Sequence, residues 1–174
     1  MKLEETIRSI PNFPKEGILF RDVTTMFKDP DANHYLIDLF VTALKGEHVD
    51  VVVGPESRGF ILGSALAYAL HAGFVPLRKP GKLPCEVVSA SYELEYGTDS
   101  LEMHKDAIKP GQKVVFVDDL IATGGTAEAG CKIIEELGGE VVAVLFAIEL
   151  DGLNGKEKLK KYNVYSAMTM ADHV

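Results

Sequence analysis

Apolar and polar residues alternate with a helical period over residues 3–10, which predicts a short amphipathic helix. Pro11 stops it, because the residue before a proline is kept out of the helical region. Residues 12–17 carry Pro14 and Gly17 and read as an irregular arm. Ile18, Leu19 and Phe20 then make a short extended apolar patch ending in Arg21 and Asp22, a hood rather than a strand of the core. Asp29 is placed as an N-cap with Pro30 at the first helical position. Leu36, Leu39, Phe40, Ala43 and Leu44 recur at helical spacing, so that helix turns one face inward.

From residue 50 onward, strand, turn and helix alternate, the pattern of a parallel sheet with crossover helices. Strands are expected at 50–54, 74–77, 113–117, 141–148 and, at the edge, 163–170. Helices are expected at 60–71, closed by Gly73, and at 126–137, ended by Gly138 and Gly139, with a charged helical turn at 156–161. Residues 87–94 alternate like an exposed ribbon, and residues 95–105, polar with Gly97, read as a mobile loop on the open side of the sheet. The predicted class is α/β: a central, mostly parallel twisted sheet flanked by helices, in one domain over 1–174 with residues 1–28 forming the small N-terminal hood.

Composition narrows this picture. The chain has 174 residues, 47% hydrophobic and 25% charged, which suits one folded domain and excludes disorder. Its formal net charge of −8 argues against a nucleic-acid binder, which shows a basic stripe. With no leader-like start and no apolar run of about 18 residues, a cytoplasmic location and no membrane partner are expected. Cys85 and Cys131 are single and widely spaced, as reduced thiols are. His34, His48, His71, His104 and His173 show no ligand spacing, so no dedicated metal site is expected. Met168 and Met170 read as core or interface.

The chemistry is concentrated in one run, from Val114 to Thr126. A buried strand delivers Asp118 and Asp119 to the C-terminal edge of the sheet, where open α/β sheets bind ligands. Ala122, Thr123, Gly124, Gly125 and Thr126 then turn into a helix whose first N–H groups are unpaired. Amides for a phosphate thus lie beside carboxylates for two neighbouring hydroxyls, the combination that a sugar phosphate requires. No Lys-Ser/Thr follows the glycines, so this is not a Walker loop. A second loop, with Glu56, Ser57 and Arg58 between Gly54 and Gly59, aims amides at the same edge, and Arg78, Lys79 and Lys82 form a cationic turn after the next strand.

The run 114–126 resembles the phosphoribosyl pyrophosphate motif of the type I phosphoribosyltransferases, and the resemblance extends over nearly the whole chain. It implies that Asp118 and Asp119 take the ribose hydroxyls and that residues 122–126 take the 5′-phosphate. It assigns pyrophosphate to Glu56, Ser57, Arg58, Arg78, Lys79 and Lys82, with a non-proline cis peptide at Glu56–Ser57. Residues 13–22 resemble the N-terminal arm of adenine-using members, 91–97 their flexible catalytic loop, and Glu149-Leu150 with 155–159 continues the match. By resemblance the base stacks between Phe20 and Leu150, backbone groups of Ile18, Leu19, Phe20 and Arg21 read its edge, Glu95 handles its proton, and Tyr96 helps close the site. The implied reaction joins adenine to phosphoribosyl pyrophosphate, giving AMP and pyrophosphate in purine salvage, with Mg2+ held mainly by the substrate. A homodimer is implied, with residues 78–84 near the partner. The alternatives are transfer to another base, a regulator that senses phosphoribosyl pyrophosphate, and a phosphoribosyl diphosphate synthase-like or inactive scaffold protein, which the complete pair of loops and lid disfavours.

Overall fold

The computed structural model describes residues 1–94 and 96–173. A 3-10 turn at Leu3–Thr6 precedes an antiparallel pair, β1 (Arg8–Pro11) and β2 (Leu19–Asp22), which form the hood. Next come α1 (Thr24–Phe27), α2 (Pro30–Ala43), β3 (Val51–Pro55), α3 (Arg58–Leu70) and β4 (Gly73–Leu77). A hairpin of β5 (Val87–Glu93) and β6 (Thr98–His104) leads to β7 (Lys113–Ile121), α4 (Gly125–Glu136), β8 (Glu140–Asp151), a 3-10 turn at Gly155–Leu159 and β9 (Val164–Ala171).

The central sheet has five strands in the order β4-β3-β7-β8-β9, all paired in parallel. Its strands are covered on both faces, which is why they read as continuous β-branched runs. Side chains alternate between two cores. Val52, Val115, Val117, Leu145 and Ala147 pack against Leu36 and Phe40 of α2 and Leu62 and Leu66 of α3. Val53, Val114, Phe116, Val144 and Phe146 pack on the other face against Cys131 and Ile134 of α4 and Leu101 and Met103 of β6. The helix starts follow local chemistry: the Asp29 carboxylate accepts from the N–H groups of Asp31 and Ala32 at 3.0 Å each, with Pro30 in the first turn.

The structure corrects five of the expected elements. Residues 3–10 are not one helix: the 3-10 turn ends at Thr6 and Arg8–Pro11 extends, because β2 offers a ladder and an Arg8–Asp22 ion pair that a helix could not use. The helix expected at 60–71 begins at Arg58 and ends on His71, which itself takes the left-handed conformation (φ 54°), while Gly73 opens β4. Residues 95–105 are mostly strand rather than loop, since β6 pairs with β5 from Thr98 to His104. The ribbon at 87–94 is also only half exposed, because Val88, Ala90 and Tyr92 pack onto the α4-side core. Finally, β7 runs to Ile121 rather than Val117, so both aspartates lie within the strand.

Removing the α2 cap tests the reading of that helix. Asp29→Ala should lower stability by about 1 kcal/mol, or about 2–4 °C in the midpoint of thermal unfolding; an unchanged midpoint would show that the carboxylate caps nothing in solution.

Candidate active site

The cleft is a consequence of strand order. The chain leaves β3 through α3 toward β4 on one side, and leaves β7 through α4 toward β8 on the other. The two helices lie on opposite faces, so no connection covers the sheet edge between the ends of β3 and β7. A cleft of about 260 Å³ opens there. Its walls include Pro55, Glu56 and Arg58 after β3, Asp118 and Asp119 on β7, all of residues 120–127, and Lys79, Tyr92, Leu101 and Phe146.

Successive strand residues point to opposite faces, yet both carboxylates border this cleft. The reason is that β3 pairs with β7 only as far as Val53 opposite Phe116, so β7 continues without that neighbour. Asp119 is 5% exposed and pairs with Arg58, Nε to Oδ2, at 2.5 Å. Asp118 accepts the N–H of Asp119 at 2.8 Å and lies so close to Gly59 that a Cβ there would stand 3.1 Å from its Oδ1. Burial, reinforced by the negative charge of Asp119, pushes Asp118 well above the usual carboxylate range, with Arg58 opposing in part. Burial also works against the charge on Arg58, but Asp119 outweighs it and the guanidinium is held more firmly protonated. The pair therefore offers one carboxylate that favours its proton and one that is ion-paired.

Beyond β7 the chain enters the loop of residues 122–124. Gly124 takes φ 86° at the N-cap of α4, a conformation that favours glycine, and it needs its missing side chain for a second reason. A Cβ on Gly124 would stand 2.4 Å from the Gly155 carbonyl oxygen, and one on Gly155 would stand 2.4 Å from that of Ala122. The 3-10 turn at Gly155–Leu159 thus buttresses the loop backbone to backbone. The first N–H groups of the 12-residue α4 open toward the cleft, with the positive end of the helix dipole.

The Glu56–Ser57 peptide is cis. Ser57 occupies the N-cap position of α3, and Arg58 begins the helix. The Glu56 carboxylate accepts from Arg78 Nε at 3.2 Å and from the Lys79 N–H at 2.9 Å, which ties this loop to the cationic turn. Lys79 Nζ donates to the Tyr92 hydroxyl at 2.9 Å and pairs with Asp99. Arg78 lies over the Phe60 ring, 5.8 Å from its centroid, and Lys82 is exposed; neither they nor Ser57 border the cleft.

The hood stands apart from this cleft. Phe20 meets Phe13 edge to face at 5.2 Å, Leu19 lies opposite Pro11, and Ile18 bridges to His173. The Arg21 guanidinium is committed to the Ala171 carbonyl, at 2.7 and 3.2 Å, and to the Ser9 hydroxyl at 2.5 Å, strapping β2 to the end of β9. Leu150 lies on β8 opposite Met170, half-buried against the core. Tyr96 is 83% exposed, and Glu95 lies outside the described residues. Sequence reasoning did not single out Tyr92, Asp99 or Gly155. The alternation of 87–94 held a signal for Tyr92; reading 95–105 as a loop hid Asp99.

A family model, the phosphoribosyl transferase domain, matches residues 26–171. The chain is 60% identical over 170 residues to the adenine phosphoribosyltransferase of Lachnoclostridium phytofermentans, covering 98% of each chain. Among solved structures, the adenine phosphoribosyltransferase of Thermoanaerobacter pseudethanolicus superposes with a TM-score of 0.93 at 53% identity, over 97% of this chain and all of that one. The Saccharomyces cerevisiae enzyme, solved with an imino-altritol bisphosphate and adenine, does so with a TM-score of 0.91 at 45% identity, over 95% and 96%.

Two outcomes follow from the geometry. Gly155→Ala should displace the loop of residues 122–124 and, if that loop takes a phosphate, weaken ribose 5-phosphate binding by roughly tenfold or more in calorimetry; unchanged affinity would remove the buttress. In the hood, hydrogen bonds from Thr24 and the Arg8 guanidinium hold Asp22 down to about 2, below its ordinary 3.8. A depressed folded value stabilises above pH 3.8 and is lost on acidification. Hydrogen-exchange protection of residues 8–22 should therefore fall as pH drops from about 4 to about 2, and Asp22→Asn should abolish that dependence; the same dependence in the variant would contradict the assignment.

Proposed function

The chain belongs to the adenine phosphoribosyltransferase family, and from that membership we propose that it transfers the 5-phosphoribosyl group of phosphoribosyl pyrophosphate to adenine, forming AMP and pyrophosphate. The observation that carries this reading is the convergence of three groups on one cleft: the Asp118–Asp119 pair, the amides of residues 122–126, and the loop of Glu56 and Arg58. The carboxylates suit the ribose hydroxyls, since carboxylate oxygens accept from hydroxyls. The amides of Thr123, Gly124, Gly125 and Thr126 suit the 5′-phosphate. Of the pyrophosphate residues Glu56, Ser57, Arg58, Arg78, Lys79 and Lys82, only Glu56, Arg58 and Lys79 border the cleft, and Arg58 exchanges its bond to Asp119 for the anion.

In the reaction a purine nitrogen attacks the anomeric carbon and the bond from that carbon to pyrophosphate breaks, its electron pair leaving with the pyrophosphate. Glu95 takes the proton that the attacking nitrogen loses, and Tyr96 helps exclude water. Phe20 and Leu150 sandwich the purine, with backbone groups of residues 18–21 reading its edge; the Arg21 side chain supports this by holding the hood in place. The transition state gathers positive charge on the sugar and negative charge on the leaving group, so the site's work is orientation and charge stabilisation.

Among the described residues, no group of three or more His, Cys, Asp or Glu side chains is arranged to hold a metal, and Asp119 is already paired with Arg58. Asp118 and Asp119 would hold a hard cation that arrives with the substrate. Bound there, Mg2+ supplies charge neutralisation for the leaving pyrophosphate. No helix among the described residues is long and apolar enough to cross a membrane; a cytoplasmic homodimer with residues 78–84 near the partner completes the reading.

Incubating the protein with Mg2+, phosphoribosyl pyrophosphate and each purine in turn should yield AMP from adenine. A nucleotide formed only from another purine would reassign the base, and binding of phosphoribosyl pyrophosphate with no product would favour a sensor. Asp119→Asn should lower kcat/KM by about 100-fold or more; unchanged kinetics would overturn the ribose role.

A further inference from the structure

Lys79 is fixed at both ends. Its backbone N–H donates to the Glu56 carboxylate at 2.9 Å, and its side chain crosses to the hairpin, where Nζ donates to the Tyr92 hydroxyl at 2.9 Å and pairs with the Asp99 carboxylate. Tyr92 and Asp99 are direct partners across β5 and β6, so the two acceptors form one fork on a hydrogen-bonded ladder. The other Asp99 oxygen accepts the N–H of Ser100 at 2.8 Å, which fixes the carboxylate in turn. An ammonium has three donors. With two spent on the fork, the third remains for the cleft that Lys79 and Tyr92 both border.

A lysine is a point charge on a flexible four-carbon stem, and aiming that charge at an anion without help costs rotamer freedom. We propose that Asp99 is a positioning residue for the leaving group: with the Tyr92 hydroxyl it holds the Lys79 ammonium at the cleft wall, pre-aimed at pyrophosphate. This rests on the proposed transferase reading. It extends that reading to the hairpin, whose strand β6 contributes no acidic side chain to the cleft wall itself. Hydrogen bonding from Lys79 keeps Asp99 below the usual carboxylate range. Burial opposes the charge on Lys79, and Asp99 with Tyr92 more than restores it. Lys79 and Asp99 therefore both carry their charges at neutral pH.

The test is calorimetric titration of the full chain with inorganic pyrophosphate and Mg2+, alongside steady-state kinetics. Asp99→Asn should raise the pyrophosphate Kd and the KM for phosphoribosyl pyrophosphate by about threefold to tenfold, leaving kcat and the adenine KM within about twofold. Asp99→Glu should restore most of the loss. An unchanged or tighter Kd would overturn the proposal, the latter showing that Asp99 competes with the anion for Lys79. So would a rise in both substrate KM values that Asp99→Glu fails to rescue, the mark of a merely structural role. If Asp99→Asn does not fold, Tyr92→Phe carries the test: it removes one arm of the fork and should raise the Kd about twofold to threefold, and no change overturns the proposal. Absence of AMP synthesis by the unaltered protein would instead remove the transferase reading, which the pyrophosphate titration does not depend on.

Discussion

The site depends on one backbone constraint: β7 outruns β3. Where β3 turns away at Pro55, β7 continues from Val117 to Ile121 with β8 still paired on its other side. A strand held on one edge and open on the other lets both faces reach the same hollow, so two adjacent carboxylates act as neighbours. The same extension sets where α4 begins, and hence where its unpaired amides lie. Had the strand ended at Val117, Asp118 and Asp119 would stand on a loop, with nothing to fix them against each other or against Arg58.

Around that extension the site is held by contacts that leave no room for side chains. Gly59 lies against Asp118, and Gly124 and Gly155 meet backbone to backbone. These approaches are steric rather than electrostatic, and they do for the loops what the apolar layers do for the sheet. The charges are then arranged in closed exchanges: Arg58 with Asp119, Glu56 with Arg78 and the Lys79 N–H, Lys79 with Asp99. Arg58, Arg78 and Lys79 each have a carboxylate partner. A polyanionic substrate displaces or shares these partners, so the protein need not hold unpaired charges while it waits.

Much of this was legible in the sequence, and for physical reasons. The buried parallel strands betray themselves as β-branched runs, and the helix N-cap at Asp29 with Pro30 is local chemistry. The run 114–126 joins a strand to acids and glycines whose combination admits few uses. The failures are equally physical. Residues 3–10 have a helical period but answer to β2, a long-range partner invisible in local spacing. Residues 98–104 carry polar side chains on a half-exposed strand, so their pairing with β5 left a weak periodic signal. That hid the Lys79–Asp99 pair, which joins residues 20 apart in the chain. The Arg21 guanidinium reaches 150 residues along the chain to β9, a contact that only the fold creates.

The central claim is that the cleft beside β7 holds phosphate and ribose, with the base directed from it toward the hood. A crystal structure of the protein with AMP bound tests it most directly. The account predicts the phosphate on the amides of residues 122–126, the two ribose hydroxyls on Asp118 and Asp119, and the purine ring between Phe20 and Leu150. A phosphate seated away from that loop, or ribose hydroxyls turned away from both aspartates, would contradict it.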